Sequence, residues 1–390
     1  MSQATLAPPP LEAISAPAAQ IAYSTTGAKP PARFAFVDGL RGIAALCIVV
    51  FHIWWYEPEP YADVNAGQWL IDSALLRTRG GVQILLVISG FVIAYTLRKT
   101  WVSPSEVFTF IGRRLIRLVP AYWAAIAAVI LVDGLCRNRF DLPSPFEGAV
   151  SLQRVVAHML FLQDISGHDP LGAGMWTLCI EMQFYLVAVI SWGLAQHLFW
   201  RPNEVEPRPS ALGLLTVFAP VAFVSLFHWR TVSSTDPYVI HFLWMFFLGM
   251  ITWWTLDGTV LTRIYAAVVA VALTNLVVDA EWRYENAVAL STSLAIFTAG
   301  CRNRLHVWLN WPWLQYFGKI SYSLYLIHFP ICHLITTAGW KWCGNEPTSL
   351  QAAVILSSAF VASLLGGSLM YLCVEAPSAK LAASTKPVAA

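Results

Sequence analysis

Charge is what this sequence has least of. Only 12% of its 390 residues are Asp, Glu, Lys or Arg, about half the share of a soluble globular chain. That shortfall excludes a water-facing surface over most of the molecule and leaves lipid as the surrounding medium, in keeping with a mean hydropathy of +0.59. There is no basic run, which argues against nucleic acid as a partner, and the net charge of +2 says nothing further. The seven cysteines lack any CxxC spacing, so no zinc, other metal or redox centre is indicated. Cys136 and Cys343 fall in segments assigned below to the outer face, where a disulfide between them is compatible with the compartment. Internal repeats and long hydrophilic blocks are missing too, so no second folded domain is expected. Residues 1–33 are rich in Ala, Pro, Ser and Thr, cannot bury a core, and read as a disordered cytoplasmic leader. They lack the charged stretch and short apolar run of a signal peptide.

What the chain has in abundance is apolar runs, near the ~20 residues that cross about 30 Å of hydrocarbon. Ten occur, at 38–56, 81–97, 116–133, 175–196, 211–228, 238–255, 262–279, 286–300, 319–338 and 351–374. The fold expected is all-α, a polytopic integral membrane protein of about ten transmembrane helices. Its membrane domain covers 34–377 and its cytoplasmic tail 378–390. With the N-terminus inside, fifteen of the 24 Lys and Arg residues fall on the inner side and eight on the outer, Arg41 lying within the first helix. The positive-inside rule therefore puts both termini in the cytoplasm, with 57–79 and 134–174 outside.

Ionisable groups at membrane depth cost about 2.5–3.5 kcal/mol each on insertion scales and need a reason to be there. The first helix carries Asp38, Arg41 and His52. At 100° per residue, the eleven-residue separation of Arg41 and His52 returns to within about 20° of one face, some 16 Å apart along the axis at ~1.5 Å per residue. Asp38, one turn before Arg41, is placed to pair with it. Glu181 sits near the outer end of the fourth helix, at a depth matching His52, where a carboxylate can orient an imidazole acting as general base. His328 lies near mid-membrane on the ninth. Arg113, Arg114 and Arg117 are read as opening the third helix at the cytoplasmic surface, with Arg114 and Arg117 on one face. Such forked cations suit phosphate. Taken singly, each has a plainer reading: Arg41 snorkelling to headgroups, His52 meeting interfacial water, Glu181 making an interhelical hydrogen bond, the arginines marking topology. Their joint placement favours a site.

At these residues the sequence resembles the acyltransferase type 3 family, membrane O-acyltransferases of bacterial surface and exported glycans. FVDGLRGIAALCIVVFH (36–52) resembles its opening motif, an Arg and a His with ten residues between them. GGVQILLVISGFVIAYTL, RRLIRLVPAYW, WTLCIEMQFYL and ISYSLYLIHFPI resemble its second-, third-, fourth- and ninth-helix motifs, and VEAP (374–377) resembles its closing motif. Ile84, Leu85 and Leu86 stand where the family usually has aromatics, and Thr177 replaces a common Ser. The resemblance implies His52 as catalytic base with Arg41 its motif partner, and Arg114 and Arg117 holding the phosphates of acyl-CoA, most often acetyl-CoA. The acceptor it implies is a hydroxyl of a glycan or lipid-linked saccharide, and the location is the bacterial inner membrane. Two other readings stay open: an acyltransferase for a small secondary metabolite such as a macrolide, and a proton-coupled transporter, which an Arg–His–Glu chain also suits.

Overall fold

The computed structural model describes residues 34–55, 74–199, 209–279, 281 and 283–384. The leader 1–33, most of the segment 57–79, and the cations Lys29, Arg33, Arg201, Arg208 and Lys386 lie outside those residues. Among the described residues every regular element is helical. In chain order they are α1 (Ala35–Trp55), α2 (Gly81–Leu97), α3 (Pro104–Leu135), the short α4 (Leu152–Met159), α5 (Met175–Phe199), α6 (Ala211–Phe227), α7 (Leu243–Leu256), α8 (Thr262–Val278), α9 (Arg283–Cys301), α10 (Pro312–Trp342), α11 (Ser349–Met370) and α12 (Ala376–Ser384). Each of the ten apolar runs falls on one of these helices.

Among the described residues, six stretches are long and apolar enough to cross a bilayer: Ala35–Trp55, Ala74–Leu97, Pro104–Phe140, Met175–Phe199, Ala211–Thr231 and Ser349–Ser384. Helices α7 and α8 are apolar but shorter, at 14 and 17 residues. Helices α9 and α10 are long enough but more polar. The chain is a multi-pass membrane protein.

One helix start departs from expectation. The arginine cluster does not open the third helix, because α3 begins at Pro104. The Ser103 hydroxyl accepts from the Glu106 N–H (3.3 Å), and Pro104 occupies the first turn, a cap and an N1 proline that start a helix whatever its hydropathy. Arg113, Arg114 and Arg117 therefore sit in the third and fourth turns, Arg113 and Arg114 half-buried and Arg117 exposed. Cys136 and Cys343 are both free thiols, Cys136 being buried, so the disulfide is absent.

Helix α1 packs against α2 and α10, α10 against α11, and α2 against α7. Glycines set the closest approaches. A Cβ at Gly42 would lie 2.8 Å from the Gly318 nitrogen, and one at Gly318 would strike the Asp38 carbonyl oxygen. Gly90 and Gly249 meet the carbonyls of Phe246 and Val87 in the same way. Small residues that let backbones touch replace the hydrophobic drive that lipid cannot supply. Between α3 and α5 the chain folds back along α3. The buried Arg154 guanidinium donates to the carbonyls of Glu147, Ala149, Asp169 and Pro170, and Phe161 stacks on Tyr122 at 4.6 Å.

Candidate active site

The first half of α1 faces an open-sided cavity of about 450 Å³ lined by residues of α1, α2, α3, α5 and α10. Four cations line it, Arg41, Arg114, Arg117 and Lys319, together with three carboxylates, Asp38, Glu181 and Glu375. Asp38 and Arg41 form an ion pair at 3.4 Å, one turn apart. Arg117 and Glu181 both lie close enough to act on the Arg41 charge. The Arg114 guanidinium lies over the Tyr185 ring, 4.9 Å from its centre. It also borders a second, smaller cavity of about 190 Å³, and Arg113 lines only that one. The three arginines thus divide between two spaces, with Arg114 shared.

Glu181 is tied into the cation cluster. Its Oε1 accepts a short hydrogen bond from the Tyr185 hydroxyl, one turn further along α5, and a longer one from Ser89 on α2 (3.4 Å). Glu375 is buried where a single π-turn, Tyr371–Glu375, interrupts the end of α11. It accepts from the Ser323 hydroxyl (2.6 Å) and main-chain N–H (3.2 Å). Such turns insert one extra residue and re-aim side chains, here a carboxylate into the cavity wall.

His52 meets His328. Their rings stack at 5.0 Å, and His52 Nδ1 lies 2.8 Å from His328 Nε2. His328 Nδ1 lies 3.1 Å from the Leu324 carbonyl oxygen. A carbonyl can only accept, so Nδ1 of His328 carries the proton, and a neutral ring must then accept at Nε2. The proton between the rings belongs to His52 Nδ1, which leaves the basic lone pair of His52 on Nε2. The arrangement is an oriented imidazole with its tautomer fixed from behind, the requirement for a general base.

The residues expected from the sequence therefore form two groups. Asp38, Arg41, Glu181, Arg114 and Arg117 share the cavity, while His52 and His328 pair just beyond it. Among the described residues Glu181 accepts from Tyr185 and Ser89, and the imidazole against His52 is that of His328. Sequence reasoning passed over Tyr185, Tyr325, Lys319, Ser323 and Glu375. Signals for two were present: Tyr185 follows Glu181 by four residues, and Tyr325 precedes His328 by three, both helical-face spacings.

Comparison with known proteins agrees with this architecture. The family described as Acyltransferase domain matches residues 34–372. A Komagataeibacter xylinus protein named as a membrane-bound transacylase, BcsY, is 29% identical over 321 residues, covering 75% of this chain and 72% of its own. The O-acetyltransferase OatA of Staphylococcus aureus is 24% identical over 371 residues, or 88% of this chain, which spans 57% of OatA. Nodulation protein 10 of Rhizobium leguminosarum bv. viciae is 25% identical over 83% of this chain and 91% of its own. No solved structure matches. A family match running from the first residue of the described bundle through its last long helix, in a bundle that carries a cation-lined cavity, leaves one assignment: the chain belongs to the acyltransferase type 3 family and is a membrane acyltransferase.

Proposed function

We propose that the protein moves an acyl group, most simply acetyl, from acyl-CoA on the cytoplasmic side to a hydroxyl of a surface or exported glycan, in the bacterial inner membrane. The observation that carries this reading is the cavity itself. Cations are concentrated where the phosphates of a coenzyme A ester need partners, and the far end of the cavity approaches an oriented histidine pair. Arg114 and Arg117 hold phosphate, with Lys319 and Arg41 lining the same cavity. Charge-assisted bonds from arginine are short and forked, which fixes a phosphate in direction as well as place. The pantetheine arm extends along the apolar wall formed by Val82, Leu85 and Leu178, and its length brings the thioester toward the histidines.

At that end His52 Nε2 removes the proton of the acceptor hydroxyl as the oxygen attacks the thioester carbonyl. The carbon–sulfur bond breaks, and the proton on His52 passes to the departing CoA sulfur. His328 keeps the His52 ring in the tautomer with Nε2 basic throughout. Both termini and the Arg98–Pro104 turn face the cytoplasm on this reading, following the bias of Lys and Arg. Mass spectrometry of surface glycans from cells with and without the gene tests the acceptor. Loss of an acyl mass from a glycan is expected. Unchanged glycans with a changed small metabolite would move the acceptor to that class.

A further inference from the structure

The donor cavity stops short of the histidines, and Tyr325, three residues before His328, is part of its wall. Tyr325 and Thr177 line the cavity, whereas neither His52 nor His328 does. The Tyr325 phenol crosses from α10 to the start of α5. Its hydroxyl donates to the Gly174 carbonyl oxygen (2.8 Å) and lies 2.6 Å from Thr177 Oγ1. The Thr177 hydroxyl also reaches the Gly174 oxygen, at 2.7 Å. Gly174 has φ +83°, and a Cβ there would collide with the Tyr325 hydroxyl, so the turn before α5 is shaped closely round the phenol. On its other side the Tyr325 ring is 6.1 Å, centre to centre, from His328.

A base poised beside a thioester activates any hydroxyl that arrives, and water is the most abundant one. Attack by water forms a carbon–oxygen bond, breaks the carbon–sulfur bond, and releases the free acid and CoA thiol with no acceptor modified. A transferase must keep water from that encounter. We propose that Tyr325 sets the acceptor specificity of the transfer: latched to Gly174 and Thr177, it seals the donor cavity from the His52–His328 pair and yields only when an acceptor fills the far side. The inference rests on the acyl-CoA reading above and adds a residue to which that reading gave no role. Tyr325 is here a positioning residue, since it controls when thioester and base meet.

The experiment uses the purified full-length protein in nanodiscs, with acetyl-CoA as the probe and no acceptor, and follows CoA thiol release. Tyr325→Phe keeps the ring and drops the latch. Thr177→Val weakens the same latch from α5, and serves if the first variant folds poorly. One hydrogen bond's worth of latch corresponds to roughly 2- to 12-fold, so acceptor-free release is expected to rise by about that factor in either variant. Adding His52→Ala to Tyr325→Phe should return release to the wild-type level, because the leak passes His52. A merely structural tyrosine would not give a leak that depends on His52. Wild-type release rates in both single variants, with acetyl-CoA binding retained by titration calorimetry, would overturn the seal alone. So would a leak that persists without His52. Wild-type protein that binds no acetyl-CoA would overturn the donor reading and take the seal with it.

Discussion

Removing the proton acceptor behind His52 should impair catalysis by an amount the geometry allows to be estimated. The 2.8 Å contact from His52 Nδ1 to His328 Nε2 is the hydrogen bond that fixes the tautomer. His328→Phe preserves a planar ring and removes the acceptor. An N–H left buried without a partner costs about 1–3 kcal/mol, and 1.36 kcal/mol is one decade. If that energy is expressed wholly in the loss of the productive tautomer, kcat falls roughly 5- to 150-fold. His328→Gln offers an amide oxygen in place of the imidazole nitrogen and should recover part of the loss. His52→Ala removes the base itself, worth about 10²–10⁴-fold. The expected order of activity is wild type, His328→Gln, His328→Phe, His52→Ala, with KM for acetyl-CoA little changed, because neither histidine lines the donor cavity. Acyl content of the acceptor, read on monodisperse protein reconstituted in liposomes, gives the order. A His328→Phe enzyme more impaired than His52→Ala would make His328 the base, and near-normal transfer by well-folded His52→Ala would remove both from the chemistry.

Three further outcomes are expected. Replacing Arg114 and Arg117 together by Ala should raise KM for acetyl-CoA by at least about tenfold, since a charged hydrogen bond contributes about 1.5–3 kcal/mol; Lys replacements should rescue only part of it, and an unchanged KM in inserted protein would return both residues to a topology signal. Cysteine at position 105, in the first turn of α3 in an otherwise cysteine-free protein, should resist an impermeant thiol reagent applied to intact cells; labelling there would reverse the proposed orientation. The segment around α4 should loosen in acid: His158 donates from Nδ1 to the Arg154 carbonyl (2.8 Å) and accepts at Nε2 from the Leu171 N–H (2.9 Å), and burial, with Arg154 and His168 nearby, holds its pKa at about 4. A folded value below the unfolded one means the unfolded segment binds the proton first, so the stability His158 contributes is present above pH ~6.5 and is lost as pH falls toward 4. Hydrogen exchange across 152–174, corrected for intrinsic rates, should show less protection at pH 5 than at pH 7.5, and equal protection would refute it.

Which parts of this were readable in the sequence follows from the range of the forces involved. Apolar runs reflect the solvent, which acts on each segment separately, so ten of the helices could be placed, while the short α4 and α12, outside any apolar run, could not. Their ends depend on local chemistry that hydropathy ignores. The Ser103–Pro104 start of α3 is written in the sequence, yet the apolar window begins later and hides it. The Asp38–Arg41 pair was legible because one helical turn fixes it. The His52–His328 contact was not, because it joins residues 276 apart and depends on α1 and α10 touching at Gly42 and Gly318. Matching depths led from His52 to Glu181, but depth is one coordinate of three. Azimuth decides the neighbour, and it comes from packing.

That packing also explains how the membrane tolerates so much charge in one place. Isolated, each of the cavity's ionisable groups would oppose insertion. Together, among the described residues, four cations and three carboxylates leave a formal excess of one positive charge, with Asp38 against Arg41 and the Glu181 charge acting on Arg41 as well. The residual excess has the sign that the proposed polyanionic donor would need. Helix α1 then links the two halves of the reaction. It carries Arg41 in the cavity and His52 at the histidine pair on one rigid element, so under the proposed function a shift of α1 against α10 would move the proposed donor contact and the proposed base together. A Cβ at Gly42 or Gly318 would strike the facing backbone, so these two glycines are what let α1 and α10 lie close enough to bring His52 against His328.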